Sequence, residues 1–231
     1  MKKTILITGS NRGIGLELTR QYASLGWQIY ACCRKPQSAD TLNALASTND
    51  NINILSLDVT DSKQIASLAR ELEGVCIDVL FNNAGVYGPY DAYFGNTDEE
   101  EWLHCMRVNT IGPIKMIECF APHVARSELK LIATISSKMA SMSDNGSGGS
   151  YIYRSTKAAL NSALKSAAID LLPKGVKVAI LHPGWVITDM TGPDAEITTE
   201  ESVANMVQNL EAVTLESSGR FIDIDGSTIP W

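Results

Sequence analysis

The stretch Thr4–Leu18, TILITGSNRGIGLEL, constrains the fold more than any other. Thr4, Ile5, Leu6, Ile7 and Thr8 form a run rich in β-branched residues and apolar on both faces, which predicts a buried strand. Gly9-Ser10-Asn11-Arg12-Gly13-Ile14-Gly15 follows, and then Ile14, Leu18, Tyr22 and Leu25 recur at roughly helical spacing. Strand, glycine turn and helix in that order open a dinucleotide-binding unit. The glycines allow a tight turn and close backbone approach to a pyrophosphate, and the helix N-terminus offers free N–H groups and positive dipole. The spacing is G-x-x-x-G-x-G. A glycine loop alone is weak evidence, so its weight comes from the strand before it and the helix after it.

The rest of the chain alternates in the same way. Strands are expected at Trp27–Cys33, Ile52–Leu57, Ile77–Phe81, Leu131–Ser136, Val176–Leu181 and Arg220–Ile224. Helices are expected at Thr41–Ser47, at Asp61–Leu72 with Thr60 or Asp61 as cap, and at Tyr151–Leu172. A long helical stretch from a Thr97 or Asp98 cap to about Val124 must be kinked or interrupted by Pro113. A last helix begins after Thr198 or Thr199. Alternating elements imply right-handed crossovers and a parallel sheet covered by helices on both faces. No linker or repeat divides the 231 residues, so one domain over residues 1–231 is expected. In such sheets the ligand lies beyond the carboxyl ends of the strands. Those ends here are Gly9, Arg34, Asp58, Asn82–Gly85, Ser136-Ser137 and His182–Gly184, which are the polar and glycine positions.

Composition narrows the partners. The formal net charge is −7 with no basic cluster, so nucleic acid and anionic membranes are poor partners. No apolar stretch approaches the ~20 residues of a membrane helix, and Met1-Lys2-Lys3 is followed by too short an apolar run for a signal peptide. A cytoplasmic location is expected. Cys32, Cys33, Cys76, Cys105 and Cys119 are odd in number and lack metal-ligand spacing, which reads as free thiols. The three histidines are scattered, so no metal site is expected.

Candidate chemistry is spread along the chain. Tyr153 and Lys157 are one helical turn apart, so they share a face. An ammonium beside a phenol favours phenolate and lowers a pKa that is ~10 unperturbed, which suits proton exchange with an alcohol or carbonyl. The pair also occurs by chance on exposed helices. Ser136 and Ser137 end the preceding strand, where a serine can hold a substrate oxygen or cap the next loop. Asn109 is a mediocre helix-interior residue, which suggests a functional or bend-related reason. After the second strand no carboxylate occurs until Asp40. Arg34 and Arg12 could therefore clamp a ribose 2′-phosphate, or be surface arginines. Asp58 could accept from an adenine amino group or cap the next helix.

TGSNRGIG (Thr8–Gly15), NNAG (Asn82–Gly85), Asn109, Ser136-Ser137, YRSTK (Tyr153–Lys157) and PGWVIT (Pro183–Thr188) fall in order along almost the whole chain. Together they resemble the short-chain dehydrogenase/reductase family. Gly148–Asn161 and the Gly-Arg-Phe…Asp-Gly…Pro-Trp ending resemble its C-factor and sniffer-type carbonyl reductase subgroup. The resemblance implies a three-layer, doubly wound Rossmann fold with a seven-stranded parallel sheet. It implies an NADP-dependent oxidoreductase passing hydride between NADP(H) and a small-molecule carbonyl or alcohol. The alternative is a C-factor-like signalling protein that binds the cofactor, with turnover secondary.

By the same resemblance, Tyr153 is the general acid, and Lys157 lowers its pKa and binds the nicotinamide ribose. Ser137 orients the carbonyl, and Asn109 holds a water that relays protons to Lys157. Gly9, Ser10, Asn11, Arg12, Gly13, Ile14 and Gly15 hold the phosphates, with Arg12 and Arg34 selecting NADP. Asp58 and Val59 line the adenine, Asn82, Ala84 and Gly85 flank it and the ribose, and Pro183, Gly184, Val186 and Thr188 hold the nicotinamide. Most family members place the serine about a dozen residues before the tyrosine, at Ala140 or Ser141 here. Ser137, sixteen before, is preferred because the apolar strand ends at Ile135 and Asn145–Gly149 resembles a loop extension. A short segment after Thr188 suggests an open site. The resemblance further implies a homodimer or homotetramer, pairing through the Tyr153 helix and its predecessor.

Overall fold

The computed structural model describes residues 2–231. Its seven strands are β1 (Thr4–Thr8), β2 (Gln28–Cys33), β3 (Ile52–Ser56), β4 (Val79–Asn82), β5 (Leu131–Ile135), β6 (Lys177–Leu181) and β7 (Phe221–Ile222). They form one sheet in the order β3-β2-β1-β4-β5-β6-β7, and every pair is parallel. This is the doubly wound Rossmann arrangement, with its switch point between β1 and β4. All residues of β1, β4 and β5 are buried, which accounts for their unbroken apolar character.

The helices are α1 (Gly13–Ser24), α2 (Asp40–Ser47), α3 (Ser62–Glu71), α4 (Glu99–Met106), α5 (Gly112–Ala125), α6 (Tyr151–Leu171) and α7 (Thr199–Glu211). Two apolar clusters occupy the two faces of the sheet. Leu6, Leu80, Ile132, Phe120, Leu160 and Leu164 belong to the cluster under α3, α5 and α6. Ile5, Ile7, Phe81, Leu18, Val203 and Met206 belong to the one under α1, α2 and α7. Alternate residues of each central strand feed alternate clusters, as the pleat requires.

Three helix caps come from the anticipated residues. Asp61 accepts from the backbone N–H groups of Lys63 and Gln64, Asp98 from that of Glu101, and Thr198 from that of Glu201. The stretch broken by Pro113 divides into α4, a π-helical turn at Arg107–Ile111, and α5. Proline lacks an N–H for the carbonyl four residues back, which is that of Asn109. The wider turn absorbs the mismatch and places Pro113 in the first turn of α5, where proline is tolerated. β7 is shorter than its apolar run, because the chain turns back after Ile222 and bridges Thr228 antiparallel.

Candidate active site

A cleft of about 1500 Å³ opens beyond the carboxyl ends of the strands, lined on one side by the glycine turn and on the other by Ser137, Tyr153 and Lys157. The volume exceeds a typical small-ligand pocket and suits a dinucleotide with a substrate beside it.

The glycine turn is shaped by contact distances. A Cβ on Gly15 would lie 2.1 Å from the Gly9 carbonyl oxygen and 2.4 Å from Asn83 Nδ2, so no side chain fits there. Gly9 has φ +71°, where only glycine is unstrained. Asn83 fixes the turn by donating from Nδ2 to the carbonyls of Thr8 (2.8 Å) and Gly9 (3.1 Å). α1 begins without a side-chain cap and without an acidic residue in its first turn. Its N–H groups and dipole are thus left to an external anion, which is the fit a pyrophosphate needs. Cys33, Arg34, Lys35, Ser38 and Thr41 line the far end, where the positive charges of Arg34 and Lys35 fit a phosphorylated ribose.

Most of the sequence-predicted cofactor residues line this cleft: Gly9, Asn11, Arg12, Gly13, Ile14, Gly15, Arg34, Asp58, Val59, Ala84, Gly85, Tyr153, Lys157, Pro183, Gly184, Val186 and Thr188. Ser10 and Asn82 do not. Ser10 is wholly buried and donates to the Ile7 carbonyl, closing the turn from inside. Asn82 still belongs to the strand and donates to Thr134 Oγ1 at 3.3 Å, so its neighbour Asn83 faces the turn instead. Arg12 and Arg34 both line the cleft, and the exposed Arg12 guanidinium pairs at 2.9 Å with Asp189 of the segment after β6. Asp58 accepts from Thr60 N and Oγ1. Burial raises its pKa, but those bonds and Arg34 outweigh it and hold the carboxyl below its usual range.

On the other wall, α6 presents Tyr153 and Lys157, with the Lys157 ammonium 5.9 Å from the tyrosine ring centroid. Lys157 is buried and donates to the Ile135 carbonyl at 2.9 Å. Burial lowers its pKa to about 8. Burial also raises the Tyr153 pKa to about 12, against a lowering by the Ser137 hydroxyl. Among the protein's own groups, desolvation of the phenol is the larger influence and the Ser137 hydroxyl opposes it. Ser137 lines the cleft, whereas Ser141 lies outside it and its Oγ accepts from Asp144 N. Ser137 therefore faces Tyr153 and Ser141 does not.

Asn109 stands one layer behind. It is fully buried, its Oδ1 accepts from Val86 N (2.9 Å), and its Nδ2 donates to Val86 O (2.8 Å) and Thr156 Oγ1 (3.1 Å). The side chain is thus committed to bracing the β4 loop against α6 and has no donor left for a relay. The π turn and Pro113 do deprive the Asn109 main-chain carbonyl of its ordinary i+4 donor.

Several lining residues had no sequence signal. Tyr87 stacks on Tyr153 with centroids 4.6 Å apart, and Tyr90 stacks on Tyr87 at 5.0 Å. The Tyr87 hydroxyl pairs with Ser150 Oγ at 2.9 Å, where Ser150 holds a left-handed conformation before α6. The Tyr90 hydroxyl donates to the Met190 carbonyl at 2.6 Å. Two exposed contacts, Tyr90–Met190 and Arg12–Asp189, cross the mouth of the cleft.

A doubly wound sheet with an uncapped glycine-turn helix facing a Ser-Tyr-Lys cluster defines a dinucleotide-dependent oxidoreductase. The chain belongs to the short-chain dehydrogenase family, whose model matches residues 3–208. It is similar to the C-signal of Myxococcus xanthus, with 41% identity over 67% of this chain and 93% of that protein. Among solved structures it resembles the carbonyl reductase Sniffer of D. melanogaster, with a TM-score of 0.93 and 33% identity over the whole of both chains. It also resembles an NADPH-bound carbonyl reductase from chicken fatty liver, with a TM-score of 0.92 and 30% identity over 100% of this chain and 99% of that one.

Proposed function

We propose that the protein reduces carbonyl compounds to alcohols with NADPH, using Tyr153 as the proton donor. The observation that carries the reading is the meeting of Ser137, Tyr153 and Lys157 in the cleft that the glycine turn opens. NADPH, when bound, supplies the hydride that reaches the carbonyl carbon. Tyr153 gives its hydroxyl proton to the carbonyl oxygen, so that one hydride and one proton complete the alcohol. Ser137 donates a hydrogen bond to the same oxygen as its charge develops. Lys157, largely protonated at neutral pH with a pKa of about 8, steadies the phenolate that is left. The Asn109 main-chain carbonyl, rather than its side chain, offers a place for a water that returns a proton to Lys157.

Arg34 and Lys35 favour NADPH over NADH through a 2′-phosphate, with Arg12 free to join once it leaves Asp189. Titrating both reduced cofactors into the protein tests this choice. Tighter NADH binding would refute it.

A second reading follows from the likeness to the C-signal: cofactor binding with a signalling output and little turnover. Measurable reduction of a carbonyl panel by the purified protein favours the enzyme, and cofactor binding without turnover favours the second reading. No helix among the described residues is long and apolar enough to cross a membrane. A cytoplasmic homodimer or homotetramer pairing through α5 and α6 is the accompanying expectation, tested by sedimentation.

A further inference from the structure

We propose that Arg154 forms an anion-binding subsite beside the catalytic tyrosine, so that the preferred carbonyl substrates carry a carboxylate. The proposal rests on the carbonyl-reducing reading above and adds the substrate class.

Arg154 follows Tyr153 on α6 and lines the same cleft. Its guanidinium is held at two points: Nη1 donates to the Met139 carbonyl (3.2 Å) and Nη2 to Ser147 Oγ (2.9 Å). Both partners are neutral. Its Nε is buried and has no hydrogen-bond partner in the protein. The four ion pairs among the described residues all lie elsewhere, and Asp144, which lines the same cleft, pairs with it in none. Lys138, also in the lining, carries a second positive charge and pairs with Asp223 at 3.7 Å.

A partly buried guanidinium ordinarily finds a carboxylate, because an uncompensated charge away from water is costly. Here the fold supplies none and instead fixes the head by neutral acceptors. Its orientation is therefore set in advance, and little entropy remains to be lost when an anion arrives. The planar fork of N–H groups matches a carboxylate. Ser137 and Met139 lie on one short segment, so an anion on Arg154 would sit on the side of the cleft where the substrate oxygen meets Ser137.

The test compares para-formylbenzoate with its methyl ester, which share a body and a reacting carbonyl and differ in charge. The wild-type protein with NADPH should show a kcat/KM at least about tenfold higher for the acid. Arg154→Gln, which can keep the Met139 bond but not the charge, should lower the acid-to-ester ratio by about tenfold to a hundredfold, mainly through KM. Arg154→Lys should restore part of the ratio. Melting temperatures establish that the variants are folded. In parallel, benzoate is titrated calorimetrically into the protein–NADP complex, and Arg154→Gln should weaken its binding by the same factor. Equal wild-type values for acid and ester, or a ratio unchanged in Arg154→Gln, would overturn the proposal. Should neither aldehyde be reduced, the carbonyl-reducing reading fails on its own. The benzoate titration then decides the subsite separately, supporting it if binding falls in Arg154→Gln and refuting it if binding is unchanged.

Discussion

On the β1–β3 side of the cleft the walls are mostly backbone, whereas on the β5–β6 side they are mostly side chains. The first side works through a turn too tight for any Cβ at Gly15 and a helix start left without a cap. The second works through rotamers: Tyr153 between Ser137 and the Tyr87 ring, and Lys157 tied to the Ile135 carbonyl. A backbone-built site restricts residue type, because only glycine meets its demands. A side-chain-built site restricts position, which depends on distant segments such as the loop carrying Tyr87 and Tyr90. Damage to the first side should therefore reach folding and cofactor binding together, and damage to the second should separate chemistry from binding.

The largest effect should come from Gly15→Ala. A methyl group 2.1 Å from the Gly9 oxygen cannot be housed without moving the turn. We expect a cost of about 3 kcal/mol, a Tm lower by roughly 6–12 °C, and NADPH binding lost or severely weakened. Normal binding by calorimetry would break the contrast from the backbone side.

Arg34→Ala comes next. It should weaken NADPH by about tenfold to a hundredfold while leaving NADH affected little, since only the 2′-phosphate contact is removed. An equal loss for both cofactors would mean that Arg34 acts by shaping the turn.

The third expected outcome concerns pH. Burial lowers the Lys157 pKa to about 8 in the folded protein, against 10.5 for an exposed lysine. Between those values the unfolded chain binds more protons, so this group makes stability rise with pH across that window. Lys157→Met should abolish this contribution, visible as the difference between the two Tm–pH curves. A constant difference from pH 8 to 10.5 would show the lysine to be solvated.

The smallest effect belongs to Tyr87. Tyr87→Leu removes the stack on Tyr153 and should reduce kcat about threefold to tenfold, the worth of one aromatic pair, with the cofactor Kd unchanged. Tyr87→Phe, which keeps the stack and loses only the Ser150 bond, should recover most of it. A change in Kd alone would move Tyr87 to the cofactor side of the comparison.

The same contrast explains what could be read from the residues. Buried strands, caps at Asp61, Asp98 and Thr198, and the glycine turn are local consequences of residue type, and the structure places them as expected. Ser10 and Asn82 sit within motifs whose neighbours line the cleft, yet Ser10 turns inward to close the glycine turn and Asn82 is held in β4 against Thr134. Motif membership does not specify direction. Asn109 was legible as a break in helical regularity, but its commitment to Val86 and Thr156 depends on a loop more than twenty residues away and a helix beyond that. The Tyr90–Met190 and Arg12–Asp189 contacts join segments 100 and 177 residues apart, and no local pattern announces them. The Tyr153–Lys157 spacing was visible, but the balance between burial and charge was not, because burial is a property of the folded pocket.

The most direct measurement is NADPH consumption by the purified protein against a carbonyl panel, run beside Tyr153→Phe at saturating cofactor. Loss of the single hydroxyl should reduce kcat by about a hundredfold to ten-thousandfold while NADPH binds as before. Turnover by Tyr153→Phe at the wild-type rate would contradict the assignment of the proton to that phenol.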